Sequence, residues 1–495
     1  MAHIVVIGAG MGGLASAARL RARGHEVTVL EQAQSVGGKL AGYERDGFVF
    51  DTGPSLFTLP ATYRDLFLKT GEGLDDVVDL QPVEPGFTYH WPDGTTAVLP
   101  GVDPGAIARA LGDALGGDAE AEWTNFMERA GKAWRITREP FLESPLNSPL
   151  DLVKHLRRPS DIQTVAPFTS LRALGKKHFS DPRLVTFLDR YATYTGSDPR
   201  KAPAALSVVP YVEQTFGAWH IGGGIHQLAL ALHQRCLDIG VRIRTDTSVA
   251  SIIVENNKVA GVTIDYGERI DADLVIANAD ATDVYGRMLN DPRAKEATRS
   301  LNRTTPSLAG FVLLLAVEGR TPGLTHHNVS FPANYDAEFD AIFGKNPKPV
   351  EDPTIYICSP DDDRMRPSAN HESWFVLVNA PRHDPVNGVN WNDSELVTTY
   401  TEHILDVMEQ RGFGVRDRLV WAESRTPAQF ERITRAPGGS IYGTASNGPR
   451  AAFMRPANKS KIPGLYLVGG SSHPGGGLPL VAMSARIVAD LIGDA

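Results

Sequence analysis

His3-Ile4-Val5-Val6-Ile7, followed at once by Gly8-Ala9-Gly10-Met11-Gly12-Gly13, is the stretch on which the fold turns. The first five residues form a short β-branched run, the pattern of a fully buried strand. The next six are a G-x-G-x-x-G. Leu14, Ala17, Ala18 and Leu20 then recur at helical spacing, with Gly24 placed to stop the helix. A second strand from Glu26 to Leu30 ends at Glu31, 18 residues beyond Gly13. The three spaced glycines serve different ends. Gly8 makes the tight turn, Gly10 lets backbone approach a pyrophosphate, and Gly13 lets helix and strand pack closely. The helix N-terminus offers unpaired N–H groups and a positive dipole to phosphates. Met11 and Gly12 lie within that loop, and Glu31, with Gln32 beside it, is spaced to hold a ribose. An acid there favours an unphosphorylated ribose, hence FAD or NAD rather than NADP.

The continuation favours the longer cofactor. Val36-Gly37-Gly38-Lys39 and Phe50-Asp51-Thr52-Gly53-Pro54-Ser55 supply a second small-residue bend that suits FAD, making Gly38, Lys39, Gly53, Pro54 and Ser55 candidate contacts. At the other end, the strand-like Leu465 to Val468 runs into Gly469-Gly470-Ser471-Ser472-His473-Pro474-Gly475-Gly476-Gly477, and a helix follows from about Pro479 to Ile492. Strand, glycine loop and helix place another helix N-terminus at a ligand, where its dipole would favour the negative edge of a reduced flavin. Gly469, Gly470, Gly477, Leu478 and Pro479 join the candidates. No further G-x-G-x-x-G follows a strand, so no separate nicotinamide domain is expected.

Composition narrows the class. The 495 residues suggest about three structural units at roughly 150 residues each. Lys+Arg 49 against Asp+Glu 58 leaves −9, which speaks against nucleic-acid binding. Cys236 and Cys358 stand too far apart in sequence for a CxxC motif or a cysteine-based zinc site, and no metal is expected. No window approaches the roughly 18 apolar residues of a membrane span. The expectation is a cytoplasmic protein, or one attached to a membrane from one side.

With these residues in view the chain resembles the bacterial-type carotenoid desaturases, phytoene desaturases included. The resemblance rests on the fingerprint with Glu31 and Gly37-Gly38, on Phe50 to Pro54, and on Gly217-Ala218-Trp219-His220 leading into Gly222-Gly223-Gly224. It also rests on Ala277-Asn278-Ala279-Asp280 and on Tyr466 to Pro479. It implies noncovalent FAD, a polyene drawn from a membrane, and insertion of conjugated double bonds by hydride transfer to flavin N5. Val249, Asn278 and Ala279 join the expected cofactor contacts. Asp181-Pro182-Arg183-Leu184 and Arg190-Tyr191-Ala192-Thr193-Tyr194 are similar to the branch acting on hydroxylated or late carotenoids at the 3,4 bond.

The expected architecture is α/β, with a discontinuous Rossmann-like FAD-binding domain (1–66, 208–295 and 435–495), a helical, membrane-facing cap (67–207) and an α+β substrate domain with an antiparallel sheet (296–434). Leu152, Val153, Lys154, Leu156, Arg157 and Arg158, with Phe168, Leu171, Leu174, Lys176 and Lys177, mix apolar and basic residues, which suits either an anionic bilayer surface on the inner face of the membrane or a solvated helix face. His473 is the candidate proton acceptor, with a loop-shaping role as the competing reading. His326 and His327, adjacent on a strand, are expected to point apart. His220 and Trp219 either line the cavity or pack. Asp361-Asp362-Asp363 is an acidic run that reads as a solvated loop, with a cation site as the competing reading. Other flavoenzymes of this fold (a polyene isomerase, an amine or porphyrinogen oxidase) and a lipid carrier that has lost FAD remain competing functions.

Overall fold

The computed structural model describes residues 1–146, 158–448 and 455–495. His3–Ile7 is the middle strand of a five-stranded parallel sheet in the order Leu465–Leu467, Leu274–Ala277, His3–Ile7, Glu26–Leu30, Arg242–Arg244. Its uninterrupted apolar run follows from having a core on each side, because successive side chains leave a strand on opposite faces. Ile4 and Val6 pack with Leu14, Leu228 and Val488, from helices Met11–Ala22, His226–Asp238 and Leu478–Ile492. Val5 and Ile7 pack on the other side with Ile252 and Val262 of a small antiparallel sheet. That sheet's hairpin turns at Asn256-Asn257, where both φ angles are positive (50° and 65°), as a two-residue turn of matching twist requires.

A second, seven-stranded sheet runs Leu419–Arg425, Ala309–Glu318, His371–Ala380, Ile355–Cys358, His327–Ser330, Phe87–His90, Thr96–Leu99. Its last two strands come from within 67–207, and Phe87–His90 pairs parallel with His327–Ser330. The strands of 296–434 pair antiparallel with one another, as expected, but the sheet extends beyond that domain through two strands of the cap, which is therefore not helical alone. Phe87-Thr88-Tyr89-His90 alternates aromatic and polar residues, a period-2 signal too short to stand out beside the helical runs around it.

Helices Pro104–Leu115, Ala119–Thr137, Leu171–His178 and Pro182–Arg190 lie over this sheet. Phe187 meets Tyr89 edge-on, with ring centroids 4.7 Å apart, and Trp123 at 4.8 Å. Burying each such ring contributes roughly 1.5–3 kcal/mol. Leu171 and Leu174 belong to this core rather than to an outward face, whereas Phe168 is 86% exposed. Leu152, Val153, Lys154, Leu156 and Arg157 lie outside the described residues.

Candidate active site

The first glycine loop is defined by contacts that leave no room for a side chain. A Cβ on Gly13 would stand 2.0 Å from the Gly8 carbonyl oxygen, so helix and strand touch backbone to backbone. Asn278, the first residue past Leu274–Ala277, faces the same loop. With its amide oxygen toward the loop it accepts from the Gly10 and Gly13 N–H groups, each at 3.3 Å. A Cβ on Gly12 or on Gly469 would lie 2.6 Å from this side chain, so both ends of the chain close around Asn278. Glu31 is buried; Oε2 accepts from Ala9 N–H at 2.6 Å and Oε1 from Ala33 N–H at 2.9 Å. The carboxylate spaced for a ribose therefore also fastens the glycine loop to the strand end. Gly37 N–H donates to the Ala9 carbonyl at 2.9 Å, laying the second bend against the first. A Cβ on Gly53 would meet the Lys39 carbonyl at 1.7 Å.

The two helices that open at these loops share a trait. Met11–Ala22 and Leu478–Ile492 have no side-chain cap and no acidic residue in the first turn. Ala61–Thr70 and Val208–Phe216 share it, whereas Asp103, Ser170, Asp181, Asp291, Asp393 and Thr426 cap the helices that follow them. Uncapped helix N-termini beside side-chain-free loops fit an anionic dinucleotide. Met11 and Val249 are buried, and Ala279 is half-buried. Gln32 lies on the surface, its Nε2 donating to the Ile433 carbonyl at 2.8 Å.

Positive charge gathers where the bends meet the C-terminal loop. Lys39 Nζ donates to the Ile441 carbonyl at 2.7 Å. Burial pushes its ammonium down to about 8, against the pull of Asp280 and with help from Arg455. Arg455 donates to the carbonyls of Tyr442 (2.9 Å), Gly470 (2.5 Å) and Thr444 (2.8 Å), and burial lowers it to about 10. Ser55 Oγ donates to Tyr356 Oη at 2.9 Å, and that hydroxyl lies 2.9 Å from His327 Nδ1. The segment Gly53-Pro54-Ser55 is thereby tied to the seven-stranded sheet. Pro479 is half-buried, and the carbonyl of Leu478 accepts from Tyr63 Oη at 3.0 Å.

His473 is 2% exposed, with Nε2 3.0 Å from the Ser144 carbonyl. Its own carbonyl accepts from Asn458 Nδ2 at 2.8 Å and Ser484 Oγ at 2.9 Å. Burial pushes the imidazole down to about 4. At neutral pH the ring is an uncharged donor that ties the C-terminal loop to Ser144.

The histidine pair departs from expectation. His326 and His327 have ring centroids 4.5 Å apart, and with Cys358 they bring one donor atom each within 4.8 Å of one another. The alternation argument fails because His326 sits in a bend before the strand begins at His327. Burial keeps both imidazoles neutral and pushes the Cys358 thiol up, which opposes the thiolate a metal would need. His220 packs against His326 at 5.0 Å, its Nε2 2.9 Å from Asp362 Oδ2. Trp219 donates from Nε1 to the Phe216 carbonyl at 2.8 Å. Asp361 and Asp363 are exposed, as expected of a solvated loop, and pair with Arg366, whereas Asp362 is buried: against the upward push of burial, Arg364, Gly223 N–H and His220 hold its carboxyl well below the usual range.

Comparison with known proteins agrees with this geometry. The model of the flavin containing amine oxidoreductases matches residues 11–493. The chain belongs to that family. It is a flavin oxidoreductase whose cofactor is FAD. Among curated relatives, the 1-hydroxycarotenoid 3,4-desaturase of Flavobacterium sp. (strain P99-3) is 34% identical over 99% of both chains. The 4,4'-diapolycopene oxygenase of Methylomonas sp. is 32% identical over 99% of this chain and 98% of its own. Wild-type putrescine oxidase bound to putrescine is similar in fold, with a TM-score of 0.65 at 16% identity over 99% of both chains.

Sequence reasoning missed Arg455, Tyr356 and Tyr442. Arg455 and Tyr442 stand in loops with no periodicity, and the partners that give all three a place are far away in the chain. Asp51 stands out in the sequence only as part of a motif. Its two oxygens cap the start of His226–Asp238, accepting from Ile225 and His226 N–H at 2.8 Å each.

Proposed function

We propose that this flavoenzyme desaturates an acyclic carotenoid, removing a hydrogen from each of two adjacent carbons and lengthening the conjugated system. The observation that carries the reading is the end-to-end similarity to the 1-hydroxycarotenoid 3,4-desaturase, over a chain whose flavin frame is intact. FAD, when bound, supplies the acceptor for the hydride. Gly8, Gly10, Met11, Gly12 and Gly13 would hold its pyrophosphate and Glu31 its ribose. Gly469, Gly470 and the N-terminus of Leu478–Ile492, with Lys39 near by, would present positive potential to the ring. The aromatic cluster between helices and sheet, with Tyr89, Phe187 and Phe331 among its members, would exclude water from a hydrocarbon chain.

A polyene gains little on leaving lipid for protein, since both are apolar, so delivery would depend on membrane contact. Exposed Ile162 and Phe168, with Lys176 and Lys177 close behind in the chain, support peripheral attachment. Among the described residues no helix is long and apolar enough to cross a membrane.

A second reading is oxidation of a terminal carbon, favoured by the similarity to the diapolycopene oxygenase. One experiment tests both. FAD-loaded protein is incubated with liposomes carrying phytoene, lycopene or 1-hydroxylated carotenoids, and products are read by absorbance and mass. Desaturation shifts the bands to the red and removes two hydrogens per step, whereas the second reading adds oxygen. No product across the panel would overturn both.

A further inference from the structure

Arg190 ends the helix Pro182–Arg190 and is buried, yet among the described residues no carboxylate lies within ion-pair distance of its guanidinium. Three other well-covered arginines are matched: Arg172 by Asp189 and Asp336, Arg19 by Asp65, Arg455 by three carbonyls. Arg190 donates from Nη1 to Thr193 Oγ1, and its Nε has no partner. Arginine cannot shed its proton to escape this cost.

What surrounds the cation is aromatic. The guanidinium lies 5.2 Å from the ring centroid of Tyr194 and 5.8 Å from that of Tyr356. The buried Tyr335, whose phenol also feels this charge, has an unpartnered hydroxyl. Two buried carboxyls feel Arg190 from beyond ion-pair distance: Glu213 already accepts from Tyr191 Oη at 2.7 Å and Tyr194 Oη at 2.8 Å, and Glu338 accepts from Thr354 N–H at 2.7 Å and Asn379 Nδ2 at 2.6 Å. Burial raises Glu213 to about 7, so near neutral pH it carries only part of a charge.

The cage touches both segments expected at the flavin. Tyr356 is bonded to Ser55, and a Cβ on Gly476 would stand 2.5 Å from the Tyr442 ring, whose phenol also feels the Arg190 charge. Buried donors left over between those segments are what a polar atom of the substrate would satisfy.

Building on the carotenoid reading, we infer that Arg190 is a specificity-determining residue that donates hydrogen bonds to a neutral oxygen, a hydroxyl, carried by the polyene near the bond to be oxidised.

The test compares neurosporene with 1-hydroxyneurosporene in liposomes, using FAD-loaded wild type, Arg190→Met and Arg190→Lys. Binding is read by quenching of tryptophan fluorescence and turnover by product absorbance. Wild type is expected to prefer the hydroxylated polyene by roughly tenfold to a hundredfold, the range for hydrogen bonds to a charged group. Arg190→Met is expected to bring that ratio close to one, and Arg190→Lys to keep part of it. Because no carboxylate among the described residues lies within ion-pair distance of Arg190, Arg190→Met is expected to melt close to wild type. The inference is overturned if wild type shows no preference, if the ratio survives Arg190→Met, or if that variant loses both polyenes together with its melting transition. Preferential binding of the hydroxylated polyene without turnover would support it while sinking the desaturase reading.

Discussion

The glycine loop at Gly8–Gly13 and the tyrosine cage at Arg190 handle buried polar groups in opposite ways. In the loop the polar groups are mostly backbone, and several already have partners: Ala9 and Ala33 N–H on Glu31, Gly10 and Gly13 N–H on Asn278. What remains open is a helix end. In the cage the polar groups are side chains, and donors are left over at Arg190 Nε and Tyr335 Oη. The first region is packed so closely that a Cβ at Gly8, Gly10, Gly12 or Gly13 would meet other protein atoms within 2.8 Å. The second is rigidified by aromatic contacts but chemically incomplete. A substitution in the loop should therefore act on cofactor and fold together, while one in the cage should act on selectivity or on pH response.

The largest effect is expected at Gly13. Gly13→Ala puts a methyl 2.0 Å from the Gly8 carbonyl, and no side chain can yield there, so backbone must move. Overpacking typically costs about 1–3 kcal/mol, and a backbone clash lies at the upper end. The expected outcome is protein purified without flavin, with a melting transition well below wild type. Flavin absorbance and a thermal melt check it; full FAD content would show that the helix can slide away from the strand.

Glu31→Gln should act next most strongly. A neutral amide keeps one acceptor where the carboxylate holds two N–H groups, and charge-assisted hydrogen bonds are worth about 1.5–3 kcal/mol each. FAD affinity is expected to fall roughly tenfold to a hundredfold, measured by titrating apoprotein with FAD. Glu31→Ala, which loses both acceptors, should be worse and should also lower the melting temperature, because the loop is then unpinned from the strand.

The same contrast explains what could be read in advance. The loop was legible because its constraints are local: a strand, three spaced glycines and an acid within one βαβ unit leave few other arrangements. Gly469 stood out through its own strand, glycine loop and helix and Asn278 through resemblance alone, but nothing in either neighbourhood specifies that a strand from residue 274 and one from residue 465 lie on one side of the first. The cage was only partly legible. Arg190 and Tyr194 stand in a stretch that carries the family resemblance, but Glu213, Tyr335, Tyr356 and Tyr442 come from separate parts of the chain, and nothing in the sequence brings them to Arg190. The strands Phe87–His90 and Thr96–Leu99 were missed for a related reason, because only pairing with His327–Ser330 distinguishes them from the helices around them. Where rings converge through a bend, as at His326 and His327, period-2 reasoning gave the wrong sign.

On the cage side, pH should expose Glu213. Burial raises it from an ordinary 4.5 to about 7, against the hydrogen bonds from Tyr191 and Tyr194 and the charge of Arg190. A carboxyl whose folded value is raised lends its stability below the unfolded value and loses it as pH climbs through the folded one. Between about pH 4.5 and 7 the wild type should lose on the order of 1–3 kcal/mol on this account. Glu213→Gln removes that titration, so its melting temperature should fall less across pH 5, 6, 7 and 8. Parallel curves for the two proteins would mean that water or a shifted Tyr191 and Tyr194 already stabilises the carboxylate.

The smallest effect is expected at His473, and it separates loop architecture from chemistry. A general base works best with a pKa near the operating pH. The His473 imidazole sits at about 4 and, as the neutral donor, spends its proton on the Ser144 carbonyl. Its contribution is one hydrogen bond plus the packing of the ring against Phe141, whose centroid is 6.0 Å away. His473→Ala should therefore cost about 1–2 kcal/mol of stability, with turnover per bound flavin staying within roughly threefold of wild type. His473→Gln, which can still donate toward Ser144, should recover part of the lost melting temperature. A base would behave otherwise: both variants would keep flavin yet lose turnover by roughly a hundredfold or more, because glutamine can replace the hydrogen bond but cannot take a proton.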